Sequence, residues 1–447
     1  MRARPDRPSP AKARSPLTPA IPILALVVAA LASAQELRKT DLVRGRTMLK
    51  VVKKELLAHY YDPTFHGLDL EARFAKAEQD LEGAGSLSHM FGIIAQAVLD
   101  LGDSHTRFIP PGRAARFEYG WRLRVLGETP YVLAVKPGSD AEAKGLKPGD
   151  RVLAVDGIAL DRKTINLFRY KYFVVRPVER MRFEVQSPGG PPRTLVAAAR
   201  IEEGRKFLDV TQGEDIWDIM REIEKGEVDQ RFFGAADRSV LVWKLPTFEI
   251  ADSELKRGVA QMLKHRAVVI DLRGNPGGYV DALTFLLGHF FDRDVQVGQP
   301  KGRKKDMKPM VARARPENLF GGRVVVVVDS ESGSASELFA RVMQLEKRGL
   351  VVGDRTAGAV MRSRVFYRET PGEYVVLYGI SVTDSDVIMA DGRSLEGEGV
   401  VPDVAVLPTG EDLAAGRDRV LARAVVEAGG LMSPEEAGKL FPHVWVD

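Results

Sequence analysis

The sequence predicts an α/β core set behind a helical N-terminal block and an inserted block of short strands. Three observations predict it. A strand, a glycine-rich turn and a helix follow one another twice, at residues 267–291 and again at 324–349. The five valines at 324–328 read as a strand buried on both faces. Apolar residues recur at helix spacing through residues 35–112, whereas residues 117–200 switch to short strands punctuated by glycine.

The 447 residues allow two or three domains, and 45% hydrophobic with 28% charged residues is an ordinary globular mix. A net charge of +4 is small for this length and calls for no nucleic-acid partner. There is no cysteine, which removes thiol nucleophiles and thiolate metal sites. None of the seven histidines has metal-ligand spacing to another, so neither metal nor other cofactor is expected.

The chain opens on Arg2, Arg4, Arg7, Lys12 and Arg14, then the apolar stretch 21–31, then Ala32-Ser33-Ala34. Basic, apolar and small-residue regions in that order read as a secretory signal peptide over residues 1–34, cleaved after Ala34. The competing reading is an uncleaved anchor helix, but the apolar core is short for a bilayer and Pro22 interrupts its start. An exported protein, periplasmic or extracellular, is expected, with no stable membrane insertion after cleavage.

The helical block 35–112 ends in Leu101-Gly102-Asp103-Ser104-His105-Thr106-Arg107-Phe108. His105 thus falls on a turn between a helix and a strand, where a scaffold can hold a functional side chain. In residues 113–200 the run Gly145-Leu146-Lys147-Pro148-Gly149-Asp150-Arg151-Val152-Leu153-Ala154-Val155-Asp156-Gly157 resembles the central segment of a PDZ domain. By that resemblance the turn Tyr119-Gly120-Trp121 receives a peptide terminus on its backbone N–H groups, and the peptide adds as a strand. A module kept only as spacer or lid is the alternative.

From residue 201 to 447 the pattern is α/β. A helix is expected at 216–223, a strand at 240–245, a helix at 253–263 and a strand at 267–272. Arg273-Gly274-Asn275-Pro276-Gly277-Gly278 then turns the chain into an apolar helix over 280–291. Three separate strands are expected at 374–378, 380–382 and 387–389, and a last helix at 417–428. Ser334 lies where the valine strand hands over to a helix, beside unpaired N–H groups at the positive end of the helix dipole. Such a position suits a nucleophile whose chemistry makes an oxyanion, but Ser334-Ala335-Ser336-Glu337 is equally a capping box.

DLRGNPGG, SGSASELFA, GDRTAG and LEGEGVVPD, in this order behind the PDZ-like insert, resemble the C-terminal processing (tail-specific) serine peptidases. The resemblance implies a ClpP/crotonase-like core and Ser334 as nucleophile. It also implies polypeptide substrates, taken by their C-termini. Most members carry a lysine base downstream of the serine; that position is Ala359 here. The tricorn-like and nisin-resistance-like branch uses an upstream histidine, and Asp103-Ser104-His105-Thr106 is similar to that segment, which makes His105 the base. A downstream glutamate orients the histidine in that branch; Glu396 is its first counterpart here and Glu398 the other. The oxyanion hole is then the N–H of Ala335 with that of Gly277 or Gly278. A catalytically inactive peptide- or ligand-binding protein on the same scaffold is the rival, and the absent lysine is its best argument.

Overall fold

The computed structural model describes residues 39–113, 115–203, 231–235, 239–370, 375–443 and 445. The leader at 1–34 and the helix expected at 216–223 lie outside the described residues. No helix among those described is long and apolar enough to cross a membrane.

The core sheet has six strands, in the order Val404–Ala405, Leu350–Gly353, Arg323–Val328, Ala267–Asp271, Val240–Lys244 and Arg231–Ala235. All neighbours run parallel except the last pair. Residues 324–328 are almost wholly inaccessible, as the run of valines predicts for a strand covered on both faces. Helices Asp252–Met262, Val280–Leu287 and Ala335–Leu345 cover one face; Arg419–Glu427 covers the other.

Several boundaries differ from expectation. The helix expected to reach residue 291 stops at Leu287, because the Gly288 carbonyl accepts the N–H of Arg315 (3.0 Å) and the chain turns there. The three strands expected across 374–389 are one, Val376–Ile388, since Gly379 pairs in register with Tyr367 and does not break the ladder. The last long helix begins at Arg419, where Asp418 accepts the N–H of Leu421 and caps it (2.9 Å), and a short helix Pro434–Ala437 follows.

A second sheet joins the N-terminal helices to the core. Its strand Arg107–Ile109, directly after His105, pairs antiparallel with Val376–Ile388 at Arg107 opposite Ser381. Helices Lys39–His59, Leu70–Glu82 and Leu87–Leu99 pack on that sheet through Phe108, Tyr378, Ile380 and Val382. The insert is a five-stranded antiparallel sheet, Trp121–Leu126, Thr129–Val135, Arg151–Val155, Arg180–Gln186 and Pro192–Ala198, in sequence order. Its entry and exit strands, Ala115–Glu118 and Arg200–Glu203, pair with each other, as they must where a module is spliced into a chain.

Candidate active site

The two glycine turns leave the carboxyl ends of adjacent parallel strands, Ala267–Asp271 and Arg323–Val328, the crevice where ligands bind in open α/β sheets. They are stitched together: the Asn275 carbonyl accepts the N–H of Gly333 (2.9 Å) and the hydroxyl of Ser336 (3.0 Å). Asn275 itself is fully buried, and its amide donates to the Leu245 carbonyl at 2.9 Å.

Ser334 precedes helix Ala335–Leu345 with φ 52° and ψ −116°, a backbone conformation that L-residues avoid. Such a conformation costs about 1–3 kcal/mol and persists only where the surroundings enforce it. Here they do. The Ser334 N–H is shared between the Ala359 carbonyl (2.8 Å) and Glu337 Oε2 (3.0 Å). Ser334 and Glu337 take up the reciprocal arrangement of the expected capping box, but the Glu337 N–H donates to the Ser334 carbonyl (2.9 Å) and the Ser334 side chain makes no cap hydrogen bond. The hydroxyl is therefore not used up as a cap.

Glu337 organises the turn from inside. Its carboxylate accepts the Thr356 hydroxyl (2.5 Å) and the N–H groups of Gly358 (2.8 Å) and Ala359 (2.9 Å) as well as that of Ser334. Burial pushes this carboxyl up to about 7, against the pull of those four donors. Residue 359, where the family's lysine is expected, thus lies against Ser334 through its backbone. Lys347 sits beyond the far end of the eleven-residue helix that Ser334 begins. Lys244 is tied to Asp271 (3.3 Å) and the Arg273 carbonyl (2.5 Å).

Gly277 (φ 107°) packs directly against the serine: a Cβ built there would lie 2.6 Å from Ser334 Cβ and 3.0 Å from the Ala335 nitrogen. Its own N–H donates to Asn275 Oδ1 at 2.9 Å, which removes Gly277 as an oxyanion donor and leaves it a steric role. Among the described residues the N–H groups of Ala335 and Gly278 have no protein acceptor.

His105 is half-buried between the helical block and the second sheet. Asp103 Oδ1 holds its loop, accepting the N–H of His105 (2.9 Å), that of Thr106 (2.7 Å) and the Thr383 hydroxyl (2.5 Å). Nδ1 of His105 meets the Ser104 hydroxyl at 2.7 Å. Glu396 accepts both that hydroxyl (2.9 Å) and the Ser104 N–H (3.0 Å), and also the N–H of Val360 (2.8 Å). Glu398 instead pairs with Arg393 on the surface. Burial and Arg107 push the His105 imidazole down to about 4, with Asp103 opposing.

One peptide unit links the two halves. The Ala359 carbonyl takes the Ser334 N–H while the Val360 N–H, across the same peptide plane, goes to Glu396. A relay of hydrogen bonds therefore runs from the Ser334 backbone through Ala359–Val360, Glu396 and Ser104 to His105, although among the described residues Ser334 and His105 share no hydrogen bond. Sequence reading placed Ser104 in the histidine segment and Glu337 in the capping box but gave neither a part in the site; the only signal was their spacing, next to the histidine and three residues after the serine.

The insert abuts this site. Tyr119, Gly120 and Trp121 line a cleft of about 630 Å³ together with Glu331 and Gly274 from the two turns, and His443 and Trp445 from the C-terminal segment. Arg124 reaches Asp329 and Glu331 (both 3.0 Å), and Arg169 also pairs with Glu331. The segment leading into Ser334 is thereby fastened to the insert. Among the described residues no group of three or more histidines or acids is placed to hold a metal ion.

Residues 239–406 match the model of Peptidase family S41, and residues 131–170 match that of the PDZ domain. The carboxyl-terminal-processing peptidase 1, chloroplastic, of Arabidopsis thaliana is 25% identical over 351 residues, 73% of this chain and 65% of that one. The putative tricorn protease homolog 2 of Streptomyces coelicolor is 24% identical over 391 residues, 82% of this chain and 31% of that one. The chain spans less than two thirds of the length of either relative. The crystal structure of mature CPAF superposes with a TM-score of 0.62 at 16% identity, over 84% of this chain and 95% of that one, which establishes a shared fold.

Proposed function

We propose that this chain is a serine endopeptidase of the C-terminal processing type, a reading supported by the match of residues 239–406 to the model of Peptidase family S41 and of residues 131–170 to that of the PDZ domain. Ser334 attacks a peptide carbonyl, His105 takes its proton and returns it to the leaving amine, and water then hydrolyses the acyl-enzyme. The oxyanion is received by the N–H groups of Ala335 and Gly278. Glu396 acts through the Ser104 hydroxyl to hold the imidazole in the tautomer with its free lone pair on Nε2. The protein works outside the cytoplasm, and the PDZ domain presents the substrate polypeptide by its C-terminal end.

The observation that carries this reading is the strained Ser334 beside two acceptor-less N–H groups, with its hydroxyl left out of the helix cap. In free enzymes the bond from nucleophile to base is often long and tightens only with substrate. Purified protein is expected to degrade an unstructured protein such as casein, and Ser334→Ala and His105→Ala are each expected to abolish this with the fold intact. Cleavage that survives in Ser334→Ala would defeat the assignment.

The absence of a Ser334–His105 hydrogen bond favours the second reading, an inactive peptide-binding protein. Wild type that binds peptides without cleaving them, and does not react with a serine-directed probe, would establish it.

A further inference from the structure

The edge of the PDZ sheet carries an exposed arginine, Arg122, whose side chain has no hydrogen bond or ion pair among the described residues, in a place where a bound peptide would have to meet it. Among the described residues strand Trp121–Leu126 pairs only with Thr129–Val135, so its other side is an open edge. Leu123 lies opposite Val132, whose N–H and carbonyl bond instead to the next strand, at the Asp150 carbonyl (2.8 Å) and the Gly149 N–H (2.9 Å). The N–H and carbonyl of Leu123 therefore face the open edge, the N–H without an acceptor among the described residues and the carbonyl taking Arg169 (2.6 Å), so an added strand pairs there through the N–H and shares the carbonyl with that guanidinium. Helix Ile165–Arg169 forms the opposite wall, with Ile165 and Phe168 as apolar lining.

Side chains alternate along the edge strand. Trp121, Leu123 and Val125 are buried in the PDZ core, so Arg122 and Arg124 project from the other face, toward Glu331. Arg124 is engaged by Asp329 and Glu331, and Arg169 by Glu331 and the Leu123 carbonyl (2.6 Å). Glu118, the other acid lining the cleft, is paired with Lys136 (2.5 Å). Among the described residues the Arg122 side chain has neither ion pair nor hydrogen bond; desolvation lowers its pKa, Glu331 attracts it from a distance, and Arg169 and Arg124 repel it.

We propose that Arg122 selects an aspartate or glutamate side chain in a polypeptide segment that adds as a strand to the edge Trp121–Leu126. This rests on the reading of the cleft as a peptide site and names its substrate class: extended polypeptides acidic at the position facing Arg122. An acid there would supply the third carboxylate of a cluster that now holds three arginines against two.

The test uses full-length Ser334→Ala protein, so that binding is read without cleavage. Fluorescein-labelled extended peptides differing only by glutamate or glutamine, scanned along the segment, are titrated by fluorescence anisotropy. At one position glutamate is expected to bind about tenfold tighter, the scale of one charge-assisted hydrogen bond. Arg122→Gln should erase that difference while leaving glutamine-peptide binding unchanged, and Arg122→Glu should transfer the preference to lysine. Equal binding of all peptides, or a preference untouched by either variant, would overturn the proposal while leaving a peptide site. Binding of none would overturn both. Peptide binding with the expected preference, but no casein cleavage by wild type, would count against the peptidase reading alone.

Discussion

Glu396 accepts both the hydroxyl (2.9 Å) and the backbone N–H (3.0 Å) of Ser104, 292 residues earlier in the chain. The same hydroxyl meets Nδ1 of His105, so the acid reaches the imidazole through a serine and not directly. This contact spans the helical block and the core, and it places the proposed orienting group where only tertiary structure can.

Breaking that chain should lower turnover without unfolding the protein. Glu396→Gln and Ser104→Ala are each expected to reduce kcat by at least about tenfold, because the imidazole loses the partner that fixes its tautomer. Glu398→Gln, on the surface pair with Arg393, should leave kcat unchanged. Steady-state kinetics on a fluorogenic peptide, with circular dichroism as the fold control, checks all three.

His105, as the proposed base, also sets a pH dependence. With His105 pushed down to about 4, the neutral imidazole persists to lower pH than that of an ordinary histidine. The acidic limb of kcat/KM, which reports the free enzyme, is expected near pH 4. A limb near 6.5 would mean that the ring is not desolvated in solution as it is here.

Glu337 supports the nucleophile turn from beneath, and Glu337→Gln leaves donors among Ser334, Thr356, Gly358 and Ala359 without an acceptor. The expected loss is about 2–3 kcal/mol of stability. The sign with pH follows from its raised carboxyl: its stabilising share is full below about 4.5 and is lost as pH rises through about 7. Thermal unfolding across pH 4–8 should show this slope in wild type and lack it in the glutamine variant.

Gly277→Ala tests the packing against the serine. A methyl group 2.6 Å from Ser334 Cβ and 3.0 Å from the Ala335 nitrogen must displace one or both, and the positive φ adds strain. A fall in kcat of about 10²-fold, the scale of losing one oxyanion donor, is expected with a smaller change in KM.

Much of this was legible in the sequence. Five consecutive valines and the glycine turns at 274–278 and 353–358 mark the buried strands and the crevice, because burial and positive φ leave strong local signatures. Ser334 and His105 were legible as turn residues after periodic segments. The continuous strand Val376–Ile388 was not, since Gly379 looks like a break until its partner strand is known. Nor could spacing tell Gly277 from Gly278: the first has its N–H taken by Asn275, and only the fold brings that side chain round. Ser104 and Glu337 look like ordinary polar residues, and their roles arise from partners 292 and 19 to 22 positions away.

The central claim is that Ser334 is a nucleophile activated by His105. Labelling with a fluorophosphonate probe, followed by mass spectrometry of the modified peptide, tests it most directly. One adduct is expected, on Ser334, formed by wild type and absent from both Ser334→Ala and His105→Ala. An adduct on another serine, or labelling of Ser334 at an unchanged rate in His105→Ala, would contradict it.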